Sequence, residues 1–176
     1  MPIALQGSRT RLRAVTRFVG LALLGSWLLA ASAQVTLPMW PVPATMQSAA
    51  VLLLGALGGP ALGLASVAAY LAQGVAGLPV FAGGQAGIAA LTGPTAGYLL
   101  GFLVAAWLAG FAGGLAWWRQ GFVLLAAHLL LFVPGVAWLA GFVGWAQALD
   151  AGFVLFIPGT LAKAALVLAA LQVLRR

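Results

Sequence analysis

Lys163 stands inside an apolar run, Ala151 to Leu174, and its ammonium is the group in this chain best placed to do chemistry. An ionised side chain at the centre of a membrane span costs about 2.5–3.5 kcal/mol on insertion scales, so it is a functional-site candidate by default. Phe156-Ile157-Pro158-Gly159-Thr160 comes just before it. Pro158 has no N–H and Gly159 is a poor helix former, so regular helix is expected to restart here, with Lys163 near the first turn of the new helix. Free backbone N–H groups at a helix start, reinforced by an ammonium a turn away, make an anion site suited to a carboxylate. The competing reading is structural: Lys163 snorkels outward or pairs with Asp150.

Other reactive groups are few. Asp150 is the only acid, His128 the only histidine, and there is no cysteine. No carboxylate pair exists for acid–base work and no cluster can hold a metal, so an enzyme, a metal site and a cofactor are all unexpected. A Ser/His or Ser/Lys hydrolase built on Ser26, Ser32, Ser48 or Ser66 is a formal alternative, but none of these serines sits in a Gly-x-Ser-x-Gly elbow. His128 is expected to be a packed histidine rather than a ligand. Phe81-Ala82-Gly83-Gly84-Gln85-Ala86-Gly87 is either a plain turn or a place where backbone approaches a ligand. It lacks the terminal Gly-Lys-Ser/Thr of a phosphate-binding loop.

The elements that must position these groups can be read from composition. Of 176 residues, 64% are hydrophobic and 5% charged, against about 25% charged in soluble domains; mean hydropathy is +1.14. The chain is therefore expected to be an all-α, polytopic integral membrane bundle, one domain over residues 1–176. Its apolar runs are continuous rather than alternating, which sets a barrel aside. About six spans are expected, near Ala14–Gln34, Thr45–Leu57, Pro60–Leu78, Pro94–Trp118, Gln120–Leu139 and Ala151–Leu174. The net charge of +7 comes from arginines flanking these runs: Arg9, Arg11, Arg13 and Arg17 in and after a basic segment 1–13, Arg119 in the middle, and Arg175 and Arg176 at the end. Placed so, they argue for a membrane and against nucleic acid. With both termini and the turns at Gly58-Gly59 and Arg119-Gln120 cytoplasmic, the outer loops Val35–Ala44, Pro79–Gly93 and Ala140–Asp150 hold no Lys or Arg, as the positive-inside rule requires. Ala31-Ser32-Ala33 has the form of a signal cleavage site, but the first run is long enough to be a span.

The first outer loop sets Pro38, Pro41 and Pro43 around Met39 and Trp40, which makes it stiff, extended and able to close over something. Gly93, Gly97, Gly101, Ala105, Ala109 and Gly113 form a ridge of small residues drifting about 40° per step on a 3.6-residue helix, and Ala22, Ser26 and Ala30 form a shorter one. Packing within the bundle explains both; for the shorter, a partner protein is the sharper alternative.

Together these segments resemble the BioY family, the biotin-specific substrate-binding subunits of energy-coupling factor transporters. The resemblance runs from about Ala30 to the end and rests on Ala33-Gln34, Pro41-Val42-Pro43-Ala44-Thr45-Met46-Gln47, Gly77-Leu78-Pro79-Val80-Phe81-Ala82-Gly83-Gly84, Leu91-Thr92-Gly93-Pro94-Thr95-Ala96-Gly97-Tyr98 and Ile157-Pro158-Gly159-Thr160-Leu161-Ala162-Lys163. It implies a six-helix protein of the cell inner membrane whose pocket opens outward beneath the first outer loop. Thr160 stands where the family pattern usually has an acid. By this resemblance Lys163 would hold the biotin carboxylate, Thr160, Gln85 and Gln47 would meet polar atoms, Gly83 and Gly84 would let backbone approach, and Phe81, Tyr98 and Trp40 would supply wall or lid. Ala22, Ser26 and Ala30 would dock a transmembrane coupling subunit powered by two ATPases, with a homo-oligomer left open. The alternatives are uptake of another small vitamin or carboxylate, stand-alone biotin facilitation, or a structural membrane subunit with no ligand.

Overall fold

The structure, a computed structural model, describes residues 3–174, with side chains from Arg11 onward; Arg175, Arg176 and the side chain of Arg9 lie outside the described residues. Long apolar runs with few breakers give an all-α chain. Helix α1 (Ile3–Gln34) is followed by a two-residue ribbon, β1 (Thr36–Leu37) with β2 (Ala44–Thr45). The ribbon is antiparallel, Thr36 opposite Thr45. Next come α2 (Gln47–Val75), α3 (Ala96–Ala109), α4 (Trp117–Leu130), α5 (Phe132–Val143), α6 (Trp145–Gly152) and α7 (Ile157–Leu174). Four stretches, Arg11–Gln34, Gln47–Val75, Trp117–Val143 and Trp145–Leu174, are long and apolar enough to cross a membrane, and Ala96–Ala112 is a shorter apolar helix.

Helix α2 is not one rod. Gly59 has φ 79° and ψ 173° and is followed by Pro60, so helical hydrogen bonding fails at both residues. A Cβ added to Gly63 would lie 2.8 Å from Gly55 Cα, whereas eight residues of straight helix span about 12 Å. The chain therefore doubles back into two antiparallel arms, residues 47–58 and 60–75. Helix α3 packs on this hairpin and on α5. Its small residues make both contacts: a Cβ on Gly97 or Gly101 would strike the α5 backbone at Pro134 or the linking residue Leu131, while Ala105 and Ala109 are fully buried. A Cβ on Gly110 would strike Pro60. Beneath the centre of the bundle, Leu52, Leu124, Val167 and Leu171 form a second apolar cluster with Ala109 and Ala112.

Three expectations change. The link expected at Arg119-Gln120 falls instead at residues 113–116, where Gly114 takes φ 76°. Glycine supplies the break, so Trp117, Trp118 and Arg119 stay in the first turn of α4, with the guanidinium 4.9 Å from the Trp118 ring centre. The expected loop Ala140–Asp150 is helical except at Gly144, which has φ 80°; one glycine turns the chain without a longer linker. The helix expected to restart after Pro158 starts at Ile157, following a break at Phe153 (φ −132°) and one 3₁₀ turn. Pro158 fits within a first turn, where its missing N–H is not needed. Lys163 consequently lies in the second turn of α7.

Candidate functional site

Where the helix arms, α3, α5 and α7 meet the two long loops, they enclose a cavity of about 520 Å³, within the range of roughly 300–1,000 Å³ typical of small-molecule sites. Its walls are mostly apolar. Pro41, Val42 and Pro43 of the first loop and Phe81 of the second border one side. Tyr98 and Phe102 from α3, with Phe132 and Phe156, make an aromatic wall. Phe132 is its hub, edge-on to Tyr98 at 6.1 Å and to Phe153 at 5.3 Å.

The polar edge is compact. Lys163 Nζ donates to the Thr45 carbonyl at 2.6 Å and to Ser48 Oγ at 3.3 Å, so it ties α7 to the first turn of α2. Asp150 is exposed on α6. Thr160 is buried one turn before Lys163 and lines the cavity. His128 is only 2% exposed, stacks on Phe132 with an interplanar angle of 11°, and has no hydrogen-bond partner at Nδ1 among the described residues. A hydrolytic Ser/Lys pair would need an amine lone pair aimed at the hydroxyl. Here Lys163 presents N–H groups to both Thr45 and Ser48.

Of the residues expected at a site, Lys163, Thr160, Gln85, Gln47, Phe81 and Tyr98 border one cavity. Two of them have their polar atoms occupied. Gln47 Nε2 donates to Tyr70 Oη at 2.6 Å and its Oε1 accepts from Thr45 Oγ1; Tyr70 in turn donates to the Val80 carbonyl. Tyr98 Oη donates to the Gly152 carbonyl at 2.9 Å. Gln47 thus braces the second loop, and Tyr98 gives the cavity its ring. Gly83 and Gly84 do not line the cavity; with φ of 68° and 73° they make the turn that brings Phe81 and Gln85 to it. Trp40 is 74% exposed and absent from the wall; the adjacent prolines take its place because the loop turns its indole outward. Ala22, Ser26 and Ala30 are buried within the chain. Ser26 accepts a hydrogen bond from Gln73 of α2, and this face of α1 is spent on its own bundle.

Sequence reasoning named Ser48 only as a formal hydrolase serine and not as a partner of Lys163, and it did not select the Thr45 carbonyl, Phe132 or Phe156 for the site. Ser48 and Lys163 are 115 residues apart, and no local spacing announces such a contact. The helix start beside the ammonium is also not α7's own but that of α2.

Fold and cavity together define a polytopic helical membrane protein with an aromatic-walled, small-molecule cavity edged by one ammonium. Residues 6–176 match the family model described as the BioY family. The chain belongs to the BioY family. It is 42% identical over 96 residues to a probable biotin transporter BioY of Pyrococcus horikoshii, covering 54% of this chain and 59% of that protein. To a biotin transporter BioY of Lactococcus lactis it is 33% identical over 145 residues, 77% of each chain. To that of Thermotoga maritima it is 39% identical over 93 residues, 53% of this chain and 51% of that one. The chain thus spans about half of the first and last of these relatives. Its fold matches a crystal structure of the S-component for biotin from an ECF-type ABC transporter with a TM-score of 0.83, 26% identity and 93% of each chain covered.

Proposed function

We propose that this chain captures biotin at the cytoplasmic membrane as the substrate-binding subunit of an energy-coupling factor transporter. The observation that carries the reading is the ammonium of Lys163 at the edge of an otherwise apolar, aromatic-walled cavity, in a fold shared with a biotin S-component. Biotin has an apolar bicycle and chain, a polar ureido head and one carboxylate. Lys163 takes the carboxylate, Thr160 and Gln85 meet the polar atoms, and Phe81, Tyr98, Phe102 and Phe132 enclose the rest.

In this reading the chain crosses the membrane six times, with both termini cytoplasmic. Its crossings are α1, the two arms of α2, α3, the α4–α5 rod and the α6–α7 segment. Two inter-element contacts support the count. Gly110 meets Pro60 and Gln172 donates to Gln120 at 2.7 Å, so the hairpin turn and the end of α3 share one level, as do the start of α4 and the end of α7. A coupling subunit with two ATPases drives uptake, and it meets lipid-facing side chains rather than Ala22, Ser26 and Ala30.

Calorimetric titration of the purified protein with biotin tests this proposal, with desthiobiotin and thiamine as competitors. Saturable binding displaced by desthiobiotin and not by thiamine is expected. Absence of heat with biotin would remove the function; displacement by thiamine would transfer it to another vitamin.

A further inference from the structure

The Ser48 hydroxyl is a polar group of the cavity with an unspent donor, and it sits against the ammonium of Lys163. It accepts from Lys163 Nζ at 3.3 Å, and its own proton goes to no acceptor among the described residues. Ser48 is only 7% exposed, and the cavity is bordered by its side chain. A buried hydroxyl in a native protein normally finds an acceptor, so one brought in by a ligand would complete it.

The backbone around Ser48 adds a second reason. Ser48 lies in the first turn of α2, which contains no acidic residue; Thr45 Oγ1 accepts from the Gln47 N–H and the Met46 carbonyl from the Ala49 N–H, which leaves the Ser48 N–H without an acceptor among the described residues. The free N–H end of a helix favours an anion and disfavours a cation. Lys163 is nevertheless drawn to this end, held by the Thr45 carbonyl at 2.6 Å. Two positive features converge there without a protein carboxylate between them, as Asp150 is exposed on α6.

We infer that Ser48 is a ligand-contacting residue whose hydroxyl donates to the same substrate carboxylate that Lys163 neutralises, at the start of α2. The inference rests on the reading of Lys163 as the carboxylate partner. A serine O–H and a lysine N–H on neighbouring atoms give a two-point clamp, which fixes the carboxylate's orientation as a lone ammonium does not. The site therefore discriminates between a free acid and its neutral derivatives by two contacts rather than one.

The test compares wild type, Ser48→Ala and Ser48→Thr for biotin and biotin methyl ester by calorimetry. Ser48→Ala is expected to weaken biotin by about 10- to 100-fold, the loss of one hydrogen bond to a charged group. It should bind the ester as wild type does, and Ser48→Thr should recover most of the loss. Should Ser48→Ala not fold, Ser48→Cys, close in volume and a weak donor, is expected to show the same selective loss. Wild-type affinity for biotin in the alanine variant overturns the inference, and so does an equal loss for biotin and ester, which would mark a packing role. If the wild type itself binds no biotin, the proposed function fails and this inference with it.

Discussion

Replacing Lys163 by methionine keeps the apolar stem and removes the ammonium. In the structure that ammonium makes hydrogen bonds of 2.6 Å to the Thr45 carbonyl and 3.3 Å to Ser48 Oγ, leaving a third N–H for the cavity. A hydrogen bond to a charged partner contributes about 1.5–3 kcal/mol net, and two unit charges 4 Å apart attract by about 4 kcal/mol at an effective dielectric of 20. Desolvating the incoming carboxylate offsets part of this, so the net loss is about 2–3 kcal/mol, or about 30- to 150-fold in Kd. Folding feels two opposing changes. The insertion penalty of about 2.5–3.5 kcal/mol disappears, while the Thr45 carbonyl loses its partner at a cost of about 1–3 kcal/mol. These nearly cancel, so the variant should purify with normal yield. Titration with biotin in detergent, on material that runs as a single species in gel filtration, measures the effect. Folded Lys163→Met with the wild-type Kd would refute the assignment of the ammonium to the ligand.

Trp40→Ala should change biotin affinity by no more than about twofold in the same titration, because an exposed side chain outside the cavity wall contributes within about 0.5 kcal/mol; a tenfold loss would restore the indole to the lid. Gly55→Leu should lower the thermal midpoint sharply or abolish folded yield, since even its Cβ would collide with the Ala106 carbonyl, and overpacking costs typically about 1–3 kcal/mol. Tyr70→Phe should destabilise by about 1 kcal/mol through loss of the Gln47–Tyr70–Val80 chain, read as a lower midpoint, with the cavity wall intact.

Much of this architecture was legible because membrane helices are written in composition. The apolar runs, the turn at Gly58-Gly59 and the small-residue ridge of α3 are local patterns, and the structure uses the last two as close backbone contacts. Breaks were less legible. Proline at 158 signals helix disruption, yet at the second residue of a helix it costs little, and the decisive break falls earlier, at Phe153 just after Gly152, a single glycine less conspicuous than the Pro158-Gly159 pair. The polar half of the site was the least readable. Lys163 stood out as a charge in apolar surroundings, but its acceptors lie on residues 45 and 48, and only the folded bundle brings them together. The stripe Ala22, Ser26, Ala30 showed a packing face correctly and could not say that the neighbour is α2.

The cluster of Leu52, Leu124, Val167 and Leu171 beneath the cavity closes one end of the bundle, and Gly110 wedged against Pro60 and the Gln120–Gln172 bridge close it further. A passenger held at Lys163, as proposed, meets packed side chains rather than an opening on that side. Under the proposed function, delivery to the opposite compartment then requires the vessel to turn or its floor to part, and a coupling partner is the proposed source of that work.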